Sequence, residues 1–288
     1  MRKLLAGLLL ACVAAPAPAA NFLWEVVSMT NRAYLYGTVH AGKQGWYPLP
    51  KEVEEALADS KVLVVEADIT DRDAMARTGA AMVYEFPDTL KNHVPEKDYE
   101  RFRKILPRYG LAEDQVARMK PLMAVSLIVF AEWQRQGYFP QYGVDAYLIA
   151  KAKAEVKPIV EIEGMQAQVD LMRSLTDAEN DAIFEGTLTA LEGGLTGEQI
   201  TGVIAAWQAG DPQRVLEVAE KYNKGVPGAA EFEEKFIWSR HDAMLKKFDG
   251  YLNESRDRHF VAVGSLHLAG PKGLVEQLRK RGYIVRQK

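Results

Sequence analysis

Apolar positions along this chain change period several times. Residues 22–28 and 33–36 are β-type runs separated by Met29-Thr30-Asn31-Arg32, a pattern that predicts a hairpin. Residues 48–60 put Val53, Ala56 and Leu57 on one face of a helix. Residues 61–68 then hold the unbroken run Val62-Leu63-Val64-Val65, which predicts a strand covered on both faces. Strand, helix and strand in this order make a βαβ-like start.

The middle of the chain has helical periods. Residues 71–84, 96–109 and 121–136 are the clearest segments, and Tyr142-Gly143-Val144-Asp145 opens a helix reaching about residue 154. A short strand over 157–162 ends at Glu163. Helical periods return over 166–248, where Thr176 and Glu179 have the spacing of a capping box. Gly193-Gly194, Gly210-Asp211-Pro212 and the Gly225–Gly228 stretch break this region. A strand over 259–263, a helix over 270–281 and a strand over 283–285 close the chain. The pattern predicts an α/β fold: a mixed β-sheet built from both chain ends, flanked by helices, with a large helical middle region. Residues 21–288 are read as a single α/β domain, in which about 71–140 and 166–248 are mainly helical insertions.

Residues 1–20 follow a different logic. Arg2 and Lys3 precede an apolar run over 4–13, and Ala17-Pro18-Ala19 supplies an A-x-A site, so the segment reads as a secretory signal peptide. The expected location is the periplasm or the exterior of the cell. Leu9-Leu10-Ala11-Cys12 loosely resembles a lipobox, which makes lipoprotein anchoring at Cys12 the alternative. Cleavage after Ala19 or Ala20 removes Arg2, Lys3 and Cys12, and takes the net charge from −3 to −5. The remaining chain has no cysteine for thiol chemistry or disulfides. No later apolar stretch reaches about 18 residues, so no transmembrane helix is expected in the mature chain. The full chain's 36 basic and 39 acidic residues leave no basic excess, and nucleic acid is not an expected partner.

The candidate chemistry lies at strand ends. Of five histidines, His40 and His267 each stand in G-x-x-H, in Gly37-Thr38-Val39-His40 and Gly264-Ser265-Leu266-His267, directly after an apolar strand. Glu66 and Glu163 also stand at strand ends. In an open α/β sheet the C-terminal strand ends are where ligands bind. Two imidazoles and a carboxylate suit a divalent metal such as Zn, Mn, Fe or Co, and leave positions for water. A hydrogen-bonded structural role for the same residues is the bland reading. His93 is expected in a loop, His241 on a helix surface, and His259 at a solvated strand start. G-x-S-x-G, H-E-x-x-H, Walker and G-x-G-x-x-G motifs are absent.

These segments resemble the TraB/GumN family. Leu35-Tyr36-Gly37-Thr38-Val39-His40 is similar to its opening motif, Val64-Val65-Glu66 to its acidic strand, and Tyr142-Gly143-Val144-Asp145 to its G-[VL]-D helix start. Pro158 to Glu163, with Gln168, resembles its L-E-T-x-x-x-Q, Gly164 replacing the Thr. Arg240-His241 resembles its R-N, His replacing Asn, and Val263 to Gly270, Gly273-Leu274 and Arg281 to Val285 resemble its C-terminal signature. The family is similar to the Tiki metalloproteases, which use divalent metal, typically Mn or Co, to cleave peptides near an N-terminus. The wider erythromycin-esterase-like and ChaN-like superfamily includes hydrolases and a haem-binding lipoprotein. The resemblance therefore implies a metal-dependent hydrolase, most simply a peptidase, acting on a peptide or small-molecule substrate. His40, His267 and Glu66 are the expected metal ligands. Glu66, Glu163 and Arg240 are the expected catalytic groups, and Tyr142 and Asp145 line or support the substrate site. The alternative is a non-catalytic protein that binds metal, haem or peptide on the same fold.

Overall fold

The computed structural model describes residues 21–288; the expected signal segment and Cys12 lie outside the described residues. Six strands form one sheet: β1 (Leu23–Val27), β2 (Arg32–Thr38), β3 (Val62–Val65), β4 (Ile159–Glu161), β5 (His259–Gly264) and β6 (Ile284–Gln287). Their spatial order is β4-β3-β5-β2-β1-β6. β2 and β5 pair in parallel, as do β5 and β3, and β3 and β4. β1 runs antiparallel to both β2 and β6. The sheet is thus mixed, and both chain ends and the middle supply strands, as the pattern predicts.

The apolar runs explain which strands are central. Leu63, Val64 and Val65 in β3 and Phe260 to Val263 in β5 are buried on both faces, as expected of strands inside a parallel sheet. Helices Lys51–Asp59, Val144–Ala154, His241–Asn253 and Leu274–Lys280 cover it, sending Leu57, Leu148, Leu245 and Leu278 into the same core. β4 is an edge strand and is largely exposed. Trp207 donates its indole N–H to the Gly37 carbonyl at 2.7 Å, tying helix Leu195–Gln208 to the end of β2.

The helical middle builds a second apolar cluster from Phe102, Ile128, Phe184 and Leu188, among others. Several predicted helices are shorter than their periodicity. The α-helix predicted over 96–109 stops at Ile105 and tightens into a 3-10 turn, Leu106–Tyr109, at Pro107. The helix predicted over 270–281 forms only over Leu274–Lys280, because Pro271 and Gly273 occupy its expected first turn. Thr176 and Glu179 form the expected capping box. Among the described residues, no helix is long and apolar enough to cross a membrane.

Candidate active site

The parallel strands bring their C-terminal ends to one edge of the sheet. β5 lies between β2 and β3, and Thr38 is in register with Gly264. His40 therefore follows β2, Glu66 follows β3 and His267 lies in the 3-10 turn Ser265–Leu268 after β5. Glu163 follows β4, and its backbone N–H bonds the Glu66 carbonyl at 3.2 Å. Arg240 comes from elsewhere, in the 3-10 turn Trp238–Arg240 before helix His241–Asn253.

One glycine makes this convergence possible, and a second lies at its centre. A Cβ on Gly143 would lie 2.5 Å from the His40 carbonyl oxygen, so the helix carrying Asp145 can approach the His40 loop only with glycine there. A Cβ on Gly264 would lie 3.4 Å from Glu66 Oε1 and 3.7 Å from both His40 Nε2 and the His267 ring. That point marks a small cradle facing all three side chains.

Each histidine is oriented by a partner. His40 Nδ1 lies 2.9 Å from Asp145 Oδ2, and Asp145 is itself held by the Thr38 hydroxyl at 2.7 Å. The Asp145 charge, acting against burial, raises the His40 pKa to about 9. His267 is 2% exposed, and burial lowers its pKa to about 3, so its ring is neutral. Arg240 Nη1 lies 3.1 Å from His267 Nε2. A guanidinium can only donate, so Nε2 accepts and the ring proton sits on Nδ1. That proton is donated to His241 Nε2 at 2.9 Å, and His241 Nδ1–H is donated in turn to the Lys272 carbonyl at 2.9 Å.

Arg240 is the electrostatic hub. Its Nε donates to Glu163 Oε1 at 2.8 Å, and its Nη2 donates to both Glu163 Oε2 and Glu66 Oε2, the latter at 2.5 Å. Burial would lower the Arg240 pKa, but these carboxylates raise it. Burial would likewise raise the Glu66 carboxyl. His267, Arg240 and His40, with the Gly264 N–H at 2.7 Å, instead hold it at about 2. At neutral pH Arg240 and the protonated His40 are the lasting parts of that effect, since His267 is neutral there.

The chain matches the TraB/PrgY/gumN family over residues 22–287. It belongs to that family. Among relatives of this family member, "Uncharacterized protein YbaP" of Escherichia coli (strain K12) is 24% identical over 266 residues, covering 90% of this chain and 94% of the relative. "Metalloprotease TIKI2" of Xenopus tropicalis is 22% identical over 313 residues, covering 92% of this chain and 59% of the relative. "Metalloprotease TIKI1" of Danio rerio is 22% identical over 312 residues, with 92% and 62% covered. No solved structure matches.

Within this family member, His40, Glu66, Asp145 and Arg240 line one cavity of about 470 Å³. His267 and Glu163 contact Arg240 without lining it. Tyr142 lies on the adjoining turn, but its ring packs edge-on to Phe139 and is not part of the cavity wall. His241, expected at the surface, is instead 4% exposed and bonded to His267. The signal that could have found it is its place beside Arg240, where the family motif carries Asn, a residue that can accept the same hydrogen bond. His259 is also buried, stacked on Tyr251 at 4.5 Å, and His93 pairs with Asp88 at 2.7 Å, away from this cavity.

The available metal donors are His40 Nε2, His267 Nε2 and the Glu66 carboxylate; around the Gly264 cradle itself stand His40 Nε2, Glu66 Oε1 and the Cδ2 edge of His267. Among the described residues, no three His, Cys, Asp or Glu side chains already stand as a metal-holding group. The Arg240 guanidinium takes the place of a cation on two of these donors, His267 Nε2 and Glu66 Oε2.

Proposed function

We propose that this protein is an exported, divalent-metal-dependent hydrolase that acts on peptide bonds. The observation carrying this reading is the meeting of His40, His267 and Glu66 around the Gly264 cradle, each histidine oriented through its other nitrogen. Such outer partners, a carboxylate on one ligand and a relay on the other, are the usual support of metal-binding imidazoles. The names of the Tiki relatives add a metalloprotease activity among proteins similar to this chain. Export rests on the N-terminal pattern of Arg2, Lys3, an apolar run and Ala17-Pro18-Ala19.

His40, His267 and Glu66 would hold the metal, Mn or Co by family resemblance. When bound, a divalent metal lowers the pKa of a coordinated water and polarises the substrate carbonyl. Asp145 fixes the His40 ring with Nε2 toward the cavity. His241 does the same for His267. Glu66 serves as third ligand or takes the proton of the attacking water, and both tasks need the ionised carboxylate that its neighbours maintain. Arg240 gives a fixed positive charge to the oxygen that gains charge in the transition state. Glu163 anchors the guanidinium through two parallel hydrogen bonds.

One observation favours a second reading. Because Arg240 already occupies the cation position on His267 and Glu66, the same cluster forms a closed, metal-free set of contacts, as in a peptide-binding protein without turnover. The deciding assay is cleavage of a mixed peptide library with Mn²⁺, with Co²⁺ and with chelator. The hydrolase reading expects metal-dependent cleavage that Glu66→Gln abolishes without loss of fold. Absence of cleavage with every metal contradicts it.

A further inference from the structure

The cavity at the strand ends is lined by two unlike groups of side chains. One comprises His40, Glu66, Asp145 and Arg240. The other is apolar: Ile69, Met75, Phe130, Leu171, Met172 and Phe236. These six side chains do not form one amphipathic stripe. Ile69 follows β3, Met75 lies on helix Arg72–Ala81, Phe130 on helix Pro121–Arg135, Leu171 and Met172 on helix Met165–Arg173, and Phe236 ends helix Ala229–Phe236. Separate elements of the helical middle thus send apolar groups toward the same space.

Two of them are costly to leave in water. Ile69 is 43% and Met75 44% exposed. Large apolar groups gathered at a concave site usually mark where a ligand buries its own apolar surface. Phe236 also links the two groups, because its backbone carbonyl accepts a hydrogen bond from Arg240 Nη1 at 2.6 Å. A group packed on Phe236 therefore lies beside the guanidinium that faces the reacting carbonyl in the hydrolase reading.

We infer that the helical middle forms a side-chain pocket that selects peptides with a bulky, uncharged apolar residue next to the bond placed at His40, Glu66 and Arg240. This rests on the hydrolase reading for the bond but not for the pocket. The lining favours a class over a single residue, since methionine side chains adapt to different apolar shapes. A charged side chain would lose its hydration against this lining without gaining a free ion-pair partner, because Glu163 holds Arg240 through two hydrogen bonds and Asp145 is paired with His40.

The test uses N-acetylated hexapeptide amides of alanine carrying one Leu, Met, Phe, Ala, Asp or Lys, walked through the positions. Binding is read by calorimetry on the Glu66→Gln variant, so that it does not depend on turnover. Cleavage is read by mass spectrometry on the wild type with Mn²⁺ or Co²⁺. Leu, Met and Phe peptides should bind at least tenfold tighter than Ala, Asp or Lys peptides. Adding Ile69→Glu and Met75→Glu should remove that preference and raise affinity for Lys peptides. Their exposure lets both positions accept a charge, and Ile69→Ala with Met75→Ala provides the milder version, expected to weaken Leu and Phe binding. Equal binding of Leu, Ala and Asp peptides, no binding of any peptide, or a preference unchanged in the variants would overturn the pocket. Selective binding without cleavage would keep the pocket and remove the hydrolase reading. Cleavage without selectivity would do the reverse.

Discussion

His241 Nε2 stands 2.9 Å from His267 Nδ1, and this contact decides which His267 nitrogen carries the proton and leaves Nε2 to face Arg240 as an acceptor. With His241 accepting, the His267 proton stays on Nδ1 and Nε2 keeps its lone pair for a cation. An asparagine at position 241 can accept the same hydrogen bond, whereas a leucine cannot. His241→Asn should therefore keep the ¹⁵N signature of Nδ1-protonated His267 and lose at most a few-fold in metal affinity. His241→Leu should lose that signature and weaken metal binding by roughly 10–100-fold, the usual cost of removing an outer partner of a ligand. Identical spectra and affinities for the two variants would show that His241 only fills space.

Asp145 performs the matching task for His40. Asp145→Asn removes the charge while keeping a polar group beside Thr38 and His40. The His40 pKa should fall from about 9 toward its ordinary value, measurable by NMR titration. Metal affinity or turnover should fall by roughly 10–100-fold. An unchanged His40 titration would remove Asp145 from this role.

Arg240 is held by two carboxylates that are themselves largely buried. Arg240→Ala leaves Glu66 and Glu163 facing each other without a cation, and should cost about 3–5 kcal/mol of stability in urea unfolding. Combining it with Glu163→Gln removes one of the stranded charges and should recover a large part of that loss. Additive losses in the double variant would contradict the coupled cluster.

Stability of the chelator-treated protein should fall on both sides of a near-neutral window. His267 has a depressed folded pKa, near 3, so its contribution is complete above its unfolded value of about 6.5 and is lost as the pH falls toward 3. Glu66, also depressed, adds a loss at lower pH as its carboxyl is protonated near 2. His40 has the opposite sign. Its raised pKa gives stability that is complete below about 6.5 and is lost as the pH rises through about 9. Urea midpoints measured from pH 4.5 to 10 should show a flatter acid limb in His267→Gln and a flatter alkaline limb in Asp145→Asn. Unaltered limbs would contradict these assignments.

Much of this geometry is legible in the sequence because strand ends are chemically marked. The unbroken runs before Glu66 and Gly264 identify buried parallel strands, and such strands carry their following residues to one edge of the sheet. The strand order is not legible in the same way. Nothing local in residues 32–38 or 259–264 states that β2 and β5 are neighbours, since that pairing joins segments more than two hundred residues apart. His241 reads as a surface residue because a polar side chain beside Arg240 on a helix usually faces water. Its burial depends on the Lys272 carbonyl and His267, both brought in by the turn after β5. The apolar lining is also hidden from periodicity, because Ile69, Met75, Phe130 and Phe236 come from separate elements.

The central claim is that His40, His267 and Glu66 hold a divalent metal once Arg240 yields its place on His267 and Glu66. The most direct measurement is a Co²⁺ titration followed by visible absorption and bound-metal analysis, with wild type set against His40→Ala/His267→Ala. The account predicts one Co²⁺ per wild-type chain, with ligand-field bands that vanish in the folded double variant. Folded wild type that binds no Co²⁺ at stoichiometric levels, or a double variant that binds it equally well, would contradict the account.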